Sequence, residues 1–210
     1  VDIQITLAII IGYILGSIPF AYIIARMKKG VDIRKVGGGN VGALNTYREI
    51  GPVYGLTVLA TDILKGVFAV MIGRWMGLDP VWFAAAGFAA VIGHNWPVFL
   101  KFRGGKGAAT VIGVLVALTP VELLISTAIV LILIGITRNV RLALFALVLT
   151  PLFQWVFDKD IVYVAWALAL LLFIGLRTLM GLRQEIEKAG GTKNLIVDKE
   201  YTAWQTKKNT

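Results

Sequence analysis

With 210 residues, 58% of them hydrophobic and only 16% charged, the chain is too apolar for an ordinary soluble domain and too short for many domains. It has no cysteine and a single histidine, His94, which excludes a disulfide framework, a thiolate metal site and a multi-histidine metal centre within one chain. In a chain this apolar, a net charge of +9 marks the cytoplasmic face of a membrane protein and attracts anionic lipids or substrates; no nucleic-acid partner is expected.

Seven apolar stretches follow in chain order, judged against the roughly 30 Å of hydrocarbon that a span must cross. They run from Ile3 to Ile24, Pro52 to Met76, Pro80 to Leu100, Gly107 to Leu118, Val121 to Ile136, Val140 to Phe157 and Ile161 to Leu176. The fourth is short and stops at Thr119-Pro120. A proline there predicts a tight turn between two helices, the alternative being one kinked helix over residues 107–136 and six spans in all.

Charge separates those topologies. Arg26, Lys28, Lys29, Arg34, Lys35 and Arg48 follow the first stretch, Lys101, Arg103 and Lys106 the third, Arg138 and Arg141 the fifth, and Arg177 and Arg183 the last. The opposite turns are poor in Lys and Arg. The expected fold is therefore an all-α polytopic membrane protein with seven transmembrane helices, its N-terminus outside and its C-terminus cytoplasmic. Residues 1–183 form the membrane domain, and the first stretch reads as a retained helix, because its positive charges follow it.

Three polar groups lie where lipid would penalise them. Asp62 and Lys65, three apart on one helical face, are either a local salt pair turned to the bundle interior or the lining of a substrate cavity. His94 and Asn95 precede Trp96-Pro97, and His94 is a packing residue, a hydrogen-bonding residue or a further cavity-lining one. The third group is a pair of glycine-rich, basic segments, Gly37-Gly38-Gly39-Asn40-Val41-Gly42-Ala43-Leu44-Asn45 and Phe102-Arg103-Gly104-Gly105-Lys106-Gly107. Gly12 and Gly16, four apart in an apolar helix, are explained by close helix packing. The loops are not. Gly104, Gly105, Lys106 and Gly107 stand directly before a helix, where bare amides, the helix N-terminus and a lysine would converge on a phosphate-sized anion. The upstream glycine and the following Ser or Thr of a nucleotide P-loop are missing.

Taken together, residues 37–45 with Arg48, then Asp62, Lys65-Gly66, Gly93-His94, Pro97, Phe99, Phe102, residues 104–107 and Ala109-Thr110 resemble the bacterial PlsY family over about the first 120 residues. The resemblance implies a multi-pass enzyme of the bacterial inner membrane. It would move an acyl chain from acyl phosphate to the 1-hydroxyl of glycerol 3-phosphate, giving lysophosphatidic acid for phospholipid synthesis. It further implies phosphate binding by Asn40, Asn45, Arg48, Gly104, Gly105, Lys106 and Gly107, with Lys106 and Arg48 the candidates for a catalytic role. Acyl phosphate is already an activated mixed anhydride, so neither metal nor organic cofactor is implied.

The chain departs from the family pattern at three places. Gly38 and Leu44 stand where the family has serine and threonine, residues 141–144 lack a hydroxyl, and Leu176-Arg177-Thr178-Leu179-Met180-Gly181 lacks the histidine and asparagine of the last family motif. A second reading is therefore kept open, a non-catalytic PlsY-like paralogue that binds anionic lipid or serves as a subunit of a larger membrane assembly. Residues 184–210 read as a polar cytoplasmic tail, with Leu195-Ile196-Val197, Tyr201 and Trp204 as the only anchors for a membrane-protein partner.

Overall fold

The computed structural model describes residues 3–137, 149–157 and 160–189, the stretch 181–189 as backbone only. Every regular element among them is helical. The chain runs through α1 (Ile3–Ser17), α2 (Phe20–Lys29), a 3-10 turn (Ile33–Lys35), α3 (Ala43–Glu49), α4 (Pro52–Trp75), α5 (Pro80–Asn95), a second 3-10 turn (Val98–Leu100), α6 (Ala108–Leu118), α7 (Pro120–Thr137), α8 (Leu149–Val156) and α9 (Ile161–Ala189). Among the described residues, four stretches are long and apolar enough to cross a membrane: Ile3–Lys29, Pro52–Trp75, Pro80–Leu100 and Ile161–Met180. Two apolar helices, α6 and α7, are shorter.

Proline punctuates this architecture. Pro52 and Pro80 open α4 and α5 at a position whose amide would go unused in any helix. The first apolar stretch, expected to run unbroken to Ile24, is interrupted at Ile18-Pro19, because Pro19 has no N–H to give the preceding turn. Leu15 O, which Pro19 leaves without its usual donor, accepts from Ile18 N at 3.2 Å, and Ile18 O, between the two helices, accepts from Phe20 N at 3.2 Å. After the break α2 ends at Gly30, whose left-handed backbone lets its amide reach Arg26 O, with Arg26, Lys28 and Lys29 in the negative end of the helix dipole. At Thr119 the chain turns as the sequence predicts, and α6 and α7 are separate helices.

The core forms where small residues let helices touch. A methyl group at Gly12 would lie 2.3 Å from Ala86 O and one at Gly16 2.0 Å from Ala90 O, so α1 and α5 pack backbone to backbone. Val70, Val91, Val111, Val114, Leu115 and Leu170 then join α4, α5, α6 and α9 in one apolar cluster. A second cluster, with Ala21, Ala25, Ile33, Val41, Val58 and Leu100, seats α2 and the loops on α4. Large apolar side chains such as Ile3, Ile10, Leu131, Ile132, Leu168 and Leu172 point outward, the surface that a hydrocarbon environment requires.

Several expectations meet a different boundary. The helix α9 continues through Arg183 to Ala189, into the stretch read from sequence as the start of a tail. Arg138, Arg141, the hydroxyl-poor residues 141–144 and residues 190–210, with the tail anchors among them, lie outside the described residues.

Candidate active site

The first glycine-rich segment is folded around one asparagine. Asn45, buried in the first turn of α3, accepts from Gly38 N at 3.0 Å through Oδ1. Its Nδ2 donates to Ile33 O, Val36 O and Asn40 O at 3.0–3.2 Å. Two N–H bonds thus serve three carbonyls, and the amide that the sequence assigned to phosphate is spent on shaping the loop. Among the described residues nothing bonds to the side-chain amide of half-buried Asn40. Arg48, in the last turn of α3, is half-buried.

A charged pair fixes the entry to this loop. Asp32 caps the first 3-10 turn by accepting from Arg34 N at 3.0 Å, and its carboxylate meets Arg34 Nη2 at 2.7 Å. The Arg34 hydrogen bonds hold the Asp32 carboxyl down at about 2 and raise the guanidinium in return. Arg34 Nη1 also donates to Leu100 O at 3.4 Å, so the pair ties the first loop to the approach of the second. Composition does not mark Asp32 and Arg34 as important; the only hint is an acid two residues before an arginine.

The second glycine-rich segment is built on the end of α5. Lys101 and Phe102 both adopt left-handed backbone, φ 53° and 60°, which folds the chain back against the helix it has just left. Gly104 N then donates to Asn95 O and Gly105 N to His94 O, each at 3.1 Å. Those two amides are not the bare donors expected from sequence. The glycines are required for another reason: a methyl at Gly105 would stand 2.3 Å from His94 Nε2 and 2.5 Å from Val41 O. Gly107, φ 87°, turns the chain into α6 and presses on Asn95 Nδ2. Half-buried Lys106 therefore projects from a segment clamped on both sides, beside the N-terminus of α6.

The close approach of Gly105 to Val41 O brings the two segments together, more than sixty residues apart in the chain. Beneath them lies a buried polar cluster. Lys65 Nζ and Asp62 Oδ1 are 2.7 Å apart with side chains 4% and 3% exposed, and His94 Nδ1 is 3.6 Å from the same oxygen. Lys65 Nζ also reaches Ile18 O at 3.4 Å, the carbonyl between α1 and α2. Asp62 and Lys65 form the salt pair that the sequence offered as one alternative, and with His94, Ile18, Val41 and Pro97 they line a narrow cleft of about 10 Å³, room for about one water. At Ile18 and Pro19 it adjoins an apolar hollow walled by Tyr22, Ile23, Phe99 and Leu100.

Arg177, on α9, reaches the same region. Its Nε donates to Asn95 Oδ1 at 3.2 Å, and its guanidinium lies 5.2 Å from the centre of the Trp96 ring. The sequence counted it as a topological charge and as part of the stretch set against the last family motif, without its partner Asn95. Among the described residues, no group of three or more acidic, histidine or cysteine side chains is placed to hold a metal ion.

Fold and site define a class: a protein whose described residues are helical, with four stretches among them able to cross a membrane, and a basic, glycine-rich site seated over a buried ion pair. A family profile described as glycerol-3-phosphate acyltransferase matches residues 6–187. The chain is 40% identical over 199 residues to glycerol-3-phosphate acyltransferase 1 of Dehalococcoides mccartyi, covering 91% of this chain and 96% of that protein. It is 42% identical over 205 residues to the glycerol-3-phosphate acyltransferase of Halalkalibacterium halodurans, covering 93% and 97%. Among solved structures it is similar to PlsY (YgiH), an integral membrane glycerol 3-phosphate acyltransferase, in its glycerol 3-phosphate form. The TM-score is 0.78 at 36% identity, over 88% of this chain and 92% of that one. The chain belongs to the PlsY family of glycerol-3-phosphate acyltransferases.

Proposed function

We propose that the protein transfers an acyl chain from acyl phosphate to the 1-hydroxyl of glycerol 3-phosphate, yielding lysophosphatidic acid and inorganic phosphate. The hydroxyl oxygen attacks the acyl carbonyl carbon, the carbon–oxygen bond to phosphate breaks, and the departing phosphate takes the hydroxyl proton. Because the donor is already activated, the protein contributes positioning and charge stabilisation in place of a nucleophile. Lys106, Arg48, Asn40 and the N-terminus of α6 hold the phosphates, and Asn45 acts by holding the loop that presents Asn40. Gly104, Gly105 and Gly107 act by letting Lys106 approach. Asp62, Lys65 and His94 line the floor, and the apolar hollow beside Pro19 suits the start of an acyl chain.

The single observation that carries this reading is the meeting of the two basic segments, Gly105 on Val41, above a buried ion pair and beside an apolar hollow. A water-soluble phosphate and a lipid-held donor need that combination. Within this reading the chain makes seven spans with the N-terminus outside and the loops cytoplasmic, in the bacterial inner membrane. Residues 1–183 are the membrane domain, and the segment beyond is available to membrane-protein partners.

Purified protein supplied with both substrates is expected to release lysophosphatidic acid, and Lys106→Ala to lose on the order of 10²-fold or more in rate. Folded wild-type protein that makes no product refutes the proposal and leaves the non-catalytic reading, whose mark is retained anionic lipid without turnover.

A further inference from the structure

Asn95 is fully buried at the end of α5 and touches the second loop twice. Its backbone oxygen accepts from Gly104 N at 3.1 Å, and its Nδ2, which donates to Val91 O at 2.9 Å, packs on Gly107. These contacts bracket Lys106. The remaining polar atom of the side chain, Oδ1, accepts from Arg177 Nε at 3.2 Å, across 82 residues of chain.

The guanidinium is itself held. It lies over the Trp96 ring, which meets Phe173 edge-on at 6.0 Å, while Trp96 O accepts from Tyr13 Oη at 2.9 Å. A cation resting on an aromatic face, its plane fixed by one directed bond, is an anchor rather than a mobile charge. Arg177 and Phe173 both belong to α9, so this helix reaches the end of α5 at Asn95 and Trp96.

We infer that Arg177 is a positioning residue: through the Nε–H···Oδ1 bond to Asn95 it locks the platform on which Gly104–Gly107 rests, and so sets where Lys106 meets a substrate phosphate. This rests on the proposed acyltransferase reading. The bond, not the charge, does the positioning. A glutamine side chain keeps a donor without the charge, and a leucine keeps the bulk without the donor.

Two measurements on the full-length protein test it. The first is KM and kcat for glycerol 3-phosphate in Arg177→Leu and Arg177→Gln. The second is hydrogen–deuterium exchange over residues 103–108, with and without inorganic phosphate. Arg177→Leu is expected to raise KM about five- to tenfold with kcat nearly unchanged, the scale of one typical lost hydrogen bond, and to speed exchange across the loop. Arg177→Gln is expected to restore both. General destabilisation would instead lower kcat at constant KM by reducing the folded fraction. Equal impairment of KM in the two variants, or unchanged KM or unchanged exchange in Arg177→Leu, overturns the inference. If wild-type protein turns over no substrate, the function proposal fails by itself. Exchange then decides: inorganic phosphate protects the loop in wild type and Arg177→Gln but not in Arg177→Leu, or the positioning role is refuted.

Discussion

The two glycine-rich segments look alike in sequence and are built for different reasons. In the first, Gly37 and Gly39 supply left-handed turns, φ 54° and 72°, while a methyl at Gly38 would meet nothing closer than 4.0 Å. The loop has room at Gly38, and a side chain, Asn45, holds it. In the second, Gly104 and Gly105 press on the carbonyls and imidazole of His94 and Asn95, where an added methyl would fall 2.1–2.8 Å from backbone or ring atoms. Here the backbone itself is the clamp. Glycine in the first loop serves curvature, with an added methyl at Gly37 meeting the side chains of Asn45 and Glu49, and in the second proximity, with an added methyl meeting backbone and ring atoms that packing holds in place.

The sharpest way to break this contrast is Gly105→Ala. It forces the loop off His94 and Val41, and a shift of about 1 Å at Lys106 is expected to cost on the order of 10² in acyl transfer. A variant with normal kinetics would mean the clamp is irrelevant. Next comes Asn45→Leu, which leaves Gly38 N–H and three loop carbonyls without their partner; thermal unfolding should show a loss of about 1–3 kcal/mol.

A smaller effect is expected at the entry to the first loop. Asp32 has its folded pKa depressed from 3.8 to about 2, so its contribution is complete above pH 3.8 and is lost as the pH falls through 2. An acid titration of stability should show that loss in the wild type, and Asp32→Asn should lack it. The smallest effect belongs to Gly38→Ser, which places the family's serine in open space. Its melting temperature should match the wild type, and its turnover should equal or exceed it. A destabilised Gly38→Ser protein would show that the first loop is as tightly packed as the second.

Much of the architecture was legible from the chain. The stretches that became α4, α6 and α7 lie within a residue or two of their expected ends, because apolar length and proline at the first turn are local signals, whereas α5 starts at Pro80 as expected but stops at Asn95, five residues before the expected end at Leu100. The polar residues of the site were equally visible: Asp62, Lys65, His94 and Lys106 are conspicuous in an apolar background. Less legible were the identities of their partners. Pro19 was read as part of a continuous span, although the helix breaks there and leaves Ile18 O between two helices, where it accepts from both Phe20 N and Lys65 Nζ. Arg177 was visible as a positive charge and within the stretch set against the last family motif, but nothing near it in the chain announces Asn95.

By itself, then, the sequence determined that this is a helical chain made for a hydrocarbon environment, with basic, glycine-rich segments between its helices and the motifs of a phosphate-handling family. Those properties depend on each residue's own chemistry and its near neighbours. The tertiary structure alone decided that Gly104 and Gly105 spend their amides on α5, that Asn45 spends its amide on its own loop, and that Val41 touches Gly105. A hydrogen bond is claimed by whichever partner the packing brings within about 3 Å, and that partner can lie anywhere in the chain.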